Sequence, residues 1–266
     1  MQSRHTDRER YFQELVETSR KYYIGYVKKH KPIDETIRIL EIGCGEGGNL
    51  LPFAELKASV LGVDMSGERI KQAEAFFQNS GTEGTFRCVD FLKMPLPSST
   101  ELFDIILVHD VIEHIEPHLK KDFISRIKLF LKEEGIIFFR FPAWHMPFGG
   151  HQQICRSSIC SKVPFTHLLP TVLYKKYLSV FNESNSCIEE LLSIKRSRMT
   201  IEKFETLCRR LGYKVLDRTL WFINPHYEVK FNLPSIKLNR VFTYLYYLRN
   251  YLSTSCFYII APLKKE

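Results

Sequence analysis

Between residues 37 and 141, five short runs of apolar and β-branched residues recur at a spacing that leaves room for a helix between most of them. They lie at 37–42, 59–64, 85–90, 103–109 and 135–141, and helical patterns occupy 47–57, 67–79 and 117–132. Pro117 suits the first turn of the third helix, where its missing N–H leaves no bond unmade. Strands that alternate with helices pair in parallel, because each crossover returns the chain to the same end of the sheet. The spacing therefore predicts an α/β fold with helices on both faces.

The rest of the chain hangs on that frame. Residues 8–29 place Tyr11, Phe12, Leu15, Val16, Tyr22, Tyr23 and Tyr26 at helical spacing, which predicts a leading amphipathic helix within an N-terminal cap, 1–31. After residue 142 the alternation stops. A structureless connection as long as 143–198 is improbable in a compact domain, so this insertion is expected to carry helices and form a lid over the substrate. A helix at 200–211 closed by Gly212, a strand at 213–222, a second insertion at 223–255 and a final strand at 256–262 complete one expected domain, 1–266.

No apolar run reaches the roughly 18 residues a membrane span needs, and the charged N-terminus is unlike a secretory signal. Seven cysteines without a repeated spacing read as reduced thiols in a cytoplasmic protein. Cys155 and Cys160 lie five apart with no partner ligands close in sequence, which argues against zinc. Charge is lopsided: residues 1–142 carry a net −2 and residues 143–266 a net +10, together the chain's +8. A positive half suits an anionic partner or simple solubility equally.

The first strand runs into "ILEIGCGEGG", residues 39–48, and Gly43, Gly45 and Gly48 satisfy G-x-G-x-x-G. Such a loop lets backbone approach a ligand, and the helix that follows offers free N–H groups. A nicotinamide dinucleotide and another adenosine cofactor both fit that description. Three acids separate them. Glu41, two residues before Gly43, would repel a pyrophosphate but attract an ammonium group. Asp64 ends the second strand, placed to accept ribose hydroxyls from either cofactor. Asp90 ends the third strand, placed to bind the exocyclic amine of adenine. Three carboxylates at three strand ends suit a cofactor with positive charge and no phosphate, which favours S-adenosylmethionine over NAD.

With "VLGVDMSGERIKQA", "CVDFLKMPLP" and "FDIILVHDVIEHI", the glycine loop resembles the class I S-adenosylmethionine-dependent methyltransferases, in the broad group that includes ubiquinone-biosynthesis O-methyltransferases. The resemblance covers about 36–142 and, more weakly, 200–262. It implies a Rossmann-like sheet of seven strands ordered 3-2-1-4-5-7-6 with strand seven antiparallel. It implies Glu41, Gly43 and Gly45 around the methionine, Asp64 on the ribose, and Asp90 with Phe91 near adenine. His109 and Asp110 would line the cofactor on the substrate side, and Cys44 and Met65 complete the expected cofactor set.

Methyl transfer from a sulfonium is an in-line displacement, so alignment supplies much of the acceleration. A base matters when the acceptor is a hydroxyl, and histidine titrates in the useful range. His109, His114, His145 and His151 are the candidates. Asp110, Glu113 and His114 in "HDVIEH" would share one face of a helical turn, where they could orient a base or hold a divalent cation, as a similar segment does in some ubiquinone-pathway relatives. The base ranks above the metal, and no metal is assigned.

In the lid, Trp144, Met146 and Phe148 offer apolar walls, His145, His151, Gln152 and Gln153 polar handles, and Gly149–Gly150 a hinge. An aromatic, quinone-like, lipid-linked or sugar acceptor fits, and O-methylation is expected. RNA or protein methylation is the alternative, though no RNA-binding appendage and no N-P-P-Y motif is present; an NAD-dependent oxidoreductase ranks lower. The insertion at 223–255 mixes basic and aromatic residues. Either it lies on a membrane surface or a partner, or it is a buried helix with tyrosine tips in solvent, and the buried helix is preferred.

Overall fold

The computed structural model describes residues 7–263, so residues 1–6 of the expected cap lie outside the described part. Eight strands form one sheet: β1 (Arg38–Ile42), β2 (Ser59–Asp64), β3 (Thr85–Cys88), β4 (Phe103–His109), β5 (Leu131–Phe141), β6 (Tyr213–Ile223), β7 (Ile236–Lys237) and β8 (Ser255–Pro262). Their order is β3-β2-β1-β4-β5-β8-β6-β7. β1 to β5 run parallel, and β8 lies antiparallel between β5 and β6. This is the expected order, with β8 as the anticipated seventh strand. The two-residue β7, an additional edge antiparallel to β6, is too short to leave a periodic trace in the sequence.

Strand alternation sorts the core into two layers. Leu40, Ile42, Ile106, Val108, Ile137 and Phe139 face one cluster. Ile39, Ile105, Leu107, Ile136 and Phe138 face the other, where Phe12, Tyr23, Tyr26 and Val27 of the leading helix cover them. Glu41, His109 and Arg140 share the parity of this second set and so are driven beneath the leading helix.

Several boundaries differ from the sequence expectation, each for a local reason. The helix read at 47–57 is only Leu51–Glu55, because the glycines before it stay in turns. The helix read at 117–132 is Lys120–Ile127 followed by a 3-10 turn, Lys128–Phe130; Pro117 precedes it, and β5 begins at Leu131. β3 stops at Cys88, so Asp90 falls in the following turn. The leading helix comprises Arg8–Thr18, a π-helical turn Ser19–Tyr23, and Ile24–Lys28. At the π turn, Ser19 Oγ donates to the Asn49 carbonyl at 2.7 Å and ties the helix to the glycine loop.

The first insertion carries helices Ser158–Lys162, Thr171–Val180 and Asn185–Ser197 around a small core of its own. Gly149 and Gly150 are not an open hinge. A Cβ on Gly149 would meet the Trp144 carbonyl oxygen at 2.2 Å, and one on Gly150 would meet His167 Cβ at 2.1 Å. The second insertion also departs from its expectation. Its helix Pro225–Phe231 packs along the leading helix, but Val241, Tyr244, Tyr246 and Tyr247 are exposed rather than buried.

Candidate functional site

The end of β1 turns into a loop whose backbone only glycine adopts freely. Gly43 has φ +74° and Gly45 φ +53°. Gly43 is also closed in: a Cβ there would meet Val111 Cγ2 at 2.4 Å. Gly45 faces open space, with nothing within 4 Å of where a Cβ would stand. That space belongs to a cleft of about 420 Å³ at the ends of β1, β2 and β4.

Eight of the residues singled out from the sequence line this cleft: Gly43, Cys44, Gly45, Asp64, His109, Asp110, His114 and His151. Asp64 braces the loop, accepting from Gly45 N at 3.0 Å through Oδ2 and from Ser66 N at 2.9 Å through Oδ1. Each oxygen keeps lone pairs for a ligand hydroxyl.

Glu41 lies behind the cleft wall, fully buried. Its Oε1 accepts from Asn49 Nδ2 at 2.8 Å and meets His109 Nδ1 at 3.1 Å; Oε2 has no hydrogen-bond partner among the described residues. Burial pushes the Glu41 carboxyl up to about 8, with Asp64 and Asp110 adding to the rise. Burial pushes the His109 imidazole down to about 3, helped by the Arg140 charge. The pair is thus neutral on both sides.

Asp110 stands just past β4 with φ +52°, and its Oδ2 accepts from Arg140 Nη1 at 2.6 Å. Residues 110–116 form turns rather than a helix, so Asp110 does not join Glu113 and His114 on one face. His151 takes that place. Its Nε2 lies 3.6 Å from Glu113 Oε1, and its ring meets His114 edge-on at 4.9 Å. One ligand atom from each of Glu113, His114 and His151 lies within 4.8 Å of the others. Glu113 is buried, and burial with the nearby Asp110 charge raises its carboxyl well above the usual range.

Four sequence candidates are not brought to this cleft. The Met65 side chain is exposed. Asp90 accepts from Leu92 N at 3.0 Å and faces Lys93 at 3.9 Å. Phe91 is buried against Phe123 and Phe130. His145 stacks on Tyr251, with ring centroids 5.0 Å apart. The expected apolar walls Trp144 and Met146 are likewise buried.

Other cleft residues escaped the sequence reading. Arg8 reaches from the leading helix to Glu46 in the glycine loop, Nη1 to Oε1 2.5 Å, and Tyr11, Leu15 and Ile154 add apolar surface. A charged Arg140 inside the apolar run "GIIFFRF" was the available signal for its pairing. Arg8 left none. The fold also brings Cys187 and Glu183 beside Cys155, partners that sequence spacing did not offer.

Residues 39–135 match a sequence family described as a methyltransferase domain. Among curated proteins, the ubiquinone biosynthesis O-methyltransferase of Glaesserella parasuis serovar 5 is 34% identical over 105 residues, 38% of this chain and 43% of that protein. The enzyme of the same name from Agrobacterium fabrum is 38% identical over 88 residues, 33% of this chain and 34% of that protein. The chain therefore spans less than half the length of these curated relatives. Among solved structures, magnesium protoporphyrin IX methyltransferase from Synechocystis PCC 6803, with bound SAH, superposes with a TM-score of 0.56 at 12% identity, over 94% of this chain and 83% of that one. The plantazolicin methyltransferase BamL, in complex with a triazolic desmethylPZN analog and SAH, gives 0.56 at 15% identity, over 98% and 89%. At these identities the likeness is one of fold.

Proposed function

We propose that this chain, a class I S-adenosylmethionine-dependent methyltransferase by its fold and by the domain matched over residues 39–135, methylates a hydroxyl of a small-molecule acceptor from S-adenosylmethionine held in the glycine-lined cleft. The observation that carries this is Gly45: its left-handed backbone opens on empty space beside the Asp64 carboxylate. Behind the loop the buried Glu41 Oε2 lacks a partner among the described residues, and an ammonium group reaching it would draw the carboxyl, neutral without a ligand, into its charged form.

The bound cofactor would supply a methyl group activated by its sulfonium charge. Gly45 admits the ligand close to backbone, and Asp64 accepts from ribose hydroxyls. His109 and Asn49 hold Glu41 in place beneath. On the acceptor side, His151 takes the hydroxyl proton and Glu113 fixes the imidazole. Tyr11, Leu15, Val111 and Ile154 present apolar surface that suits an aromatic, quinone-like or lipid-linked acceptor. A second reading, carried by the closeness of Glu113, His114 and His151, is a divalent cation that binds the acceptor oxygen.

No helix among the described residues is long and apolar enough to cross a membrane. The exposed aromatic stretch around Tyr244–Tyr247, with Arg240 close in sequence, supports peripheral contact with an anionic lipid surface. The seven cysteines are free thiols, which supports a cytoplasmic setting.

Equilibrium binding separates the cofactors: S-adenosylmethionine and its demethylated product should bind, and NADH should not. Tritiated methyl transfer into lysate divided into lipid, small-molecule, RNA and protein pools then tests the acceptor. Label confined to RNA or protein would overturn the small-molecule reading.

A further inference from the structure

The lid's small core is built from Cys155, Cys160, Tyr174, Leu178, Ile188, Leu191 and Leu192. Two features are out of place in an apolar cluster. Glu183 is buried beside it, with its oxygens accepting from Arg156 N at 3.0 Å and Ser157 N at 2.8 Å. Burying a carboxylate is costly, and two backbone donors leave half of its acceptor capacity unused. Tyr174 is fully buried, and its Oη has no hydrogen-bond partner among the described residues. The phenol shares this core with Cys155 and Cys160, and Cys187 packs against it.

The sulfurs themselves converge. Sγ of Cys155, Sγ of Cys187 and a carboxylate oxygen of Glu183 lie within 4.8 Å of one another. Cys160 packs in the same small core as Cys155. Zinc bound at about 2.3 Å to each of two thiolates sets their sulfurs roughly 3.8 Å apart, within that spread.

We propose that Cys155, Cys187 and Glu183 form a binding site for one zinc-class divalent ion, separate from the cleft. Sulfur donors with one carboxylate select a borderline-soft ion over magnesium or calcium. On binding, each coordinating thiol gives up its proton to solvent and its sulfur lone pair to the metal; nothing is oxidised. The change also resolves Tyr174. A thiol is a weak acceptor, whereas a metal-bound thiolate accepts a phenol hydrogen bond well. The ion would join the segment at 155–160 to the helix Asn185–Ser197. Ile154 adjoins Cys155, Glu190 lies three residues past Cys187 on the same helix, and both line the cleft, so the ion stiffens one cleft wall.

The test is a Co²⁺ titration of the full chain, stripped of metal and kept reduced with a phosphine. One equivalent should give thiolate-to-cobalt charge-transfer absorption in the near ultraviolet, and Zn²⁺ should displace it. Cys187→Ser, at a half-buried position, should weaken Co²⁺ binding at least about tenfold and diminish the band. Cys88→Ser, an exposed cysteine outside the lid, should keep it. Absence of the band in protein with a native circular dichroism spectrum would overturn the proposal. So would Co²⁺ affinity and band intensity that are unchanged in Cys187→Ser, or a band lost in Cys88→Ser. Co²⁺ at Glu113, His114 and His151 involves no sulfur and gives no such band, so the two metal readings stand or fall separately.

Discussion

His151 Nε2 and Glu113 Oε1 stand 3.6 Å apart, bringing the first insertion to the turn after β4 at the cleft. An imidazole at the cleft beside a buried carboxyl is placed to take a proton from a hydroxyl acceptor. His151→Ala is expected to lower kcat by about 10²- to 10⁴-fold, the usual worth of a general base, with cofactor affinity unchanged. Glu113→Gln should lower kcat less and also leave cofactor affinity intact. Steady-state kinetics beside product-binding calorimetry separates the two effects. If the cation reading holds instead, a chelator should abolish turnover and an added divalent ion restore it.

Gly43 and Gly45 share a left-handed backbone but differ in what surrounds them. Gly45→Ala puts a methyl group into the cleft, so cofactor affinity should fall at least tenfold. Its folding cost should be only about 1 kcal/mol, from the backbone. Gly43→Ala drives a methyl group into Val111 as well, and should cost about 2–4 kcal/mol as overpacking adds to strain. Denaturant unfolding of both variants, with ligand titration, checks the contrast.

The strand ends were legible because they are local. Glu41, the glycines and Asp64 fall within two successive strand-to-loop turns, and the spacing that predicts the sheet also predicts their convergence. Asp90 and Phe91 show where that logic stops, since ending β3 at Cys88 turns one into a turn acceptor and sends the other into the core. Arg8–Glu46, His151–Glu113 and Cys155–Cys187 join segments distant in sequence, and no periodicity records how an insertion folds back. The exposed tyrosines misled for a related reason: alternating basic and aromatic residues fit a buried helix as well as an open surface.

Arg140 is buried, and although burial opposes its charge, Asp110 facing it holds the guanidinium above its ordinary pKa. Asp110→Asn keeps a side chain that tolerates the left-handed backbone and removes the balancing charge. It should destabilise the fold by about 1–3 kcal/mol, below the cost of breaking a fully buried pair because Asp110 is 38% exposed. Urea unfolding midpoints measure it.

Tyr244, Tyr246 and Tyr247 are each more than 60% exposed, with Arg240 close in sequence. Interfacial aromatics and basic side chains together favour an anionic bilayer surface. The protein should float with phosphatidylglycerol vesicles at low salt and far less at high salt. Changing the three tyrosines to serine should reduce the floated fraction severalfold while leaving cofactor binding intact. Equal flotation of the variant would assign the tyrosines no role at the membrane.

The neutral Glu41–His109 pair imposes a specific stability profile. In the unfolded chain the carboxyl titrates near 4.5 and the imidazole near 6.5; in the fold they move to about 8 and about 3. Between pH 3 and 4.5 the unfolded chain carries the extra histidine proton, so stability rises with pH. Between 4.5 and 6.5 the unfolded chain holds the histidine proton and the folded chain the carboxyl proton, and the two contributions cancel. Between 6.5 and 8 only the folded Glu41 stays protonated, so the contribution of its raised pKa fades and stability falls as pH rises. Glu41→Gln should flatten the alkaline fall and expose the histidine term alone, a rise that continues to pH 6.5. Unfolding free energies measured from pH 3 to 8.5 in both proteins decide it, and an unchanged alkaline slope in the variant would locate the titrating group elsewhere.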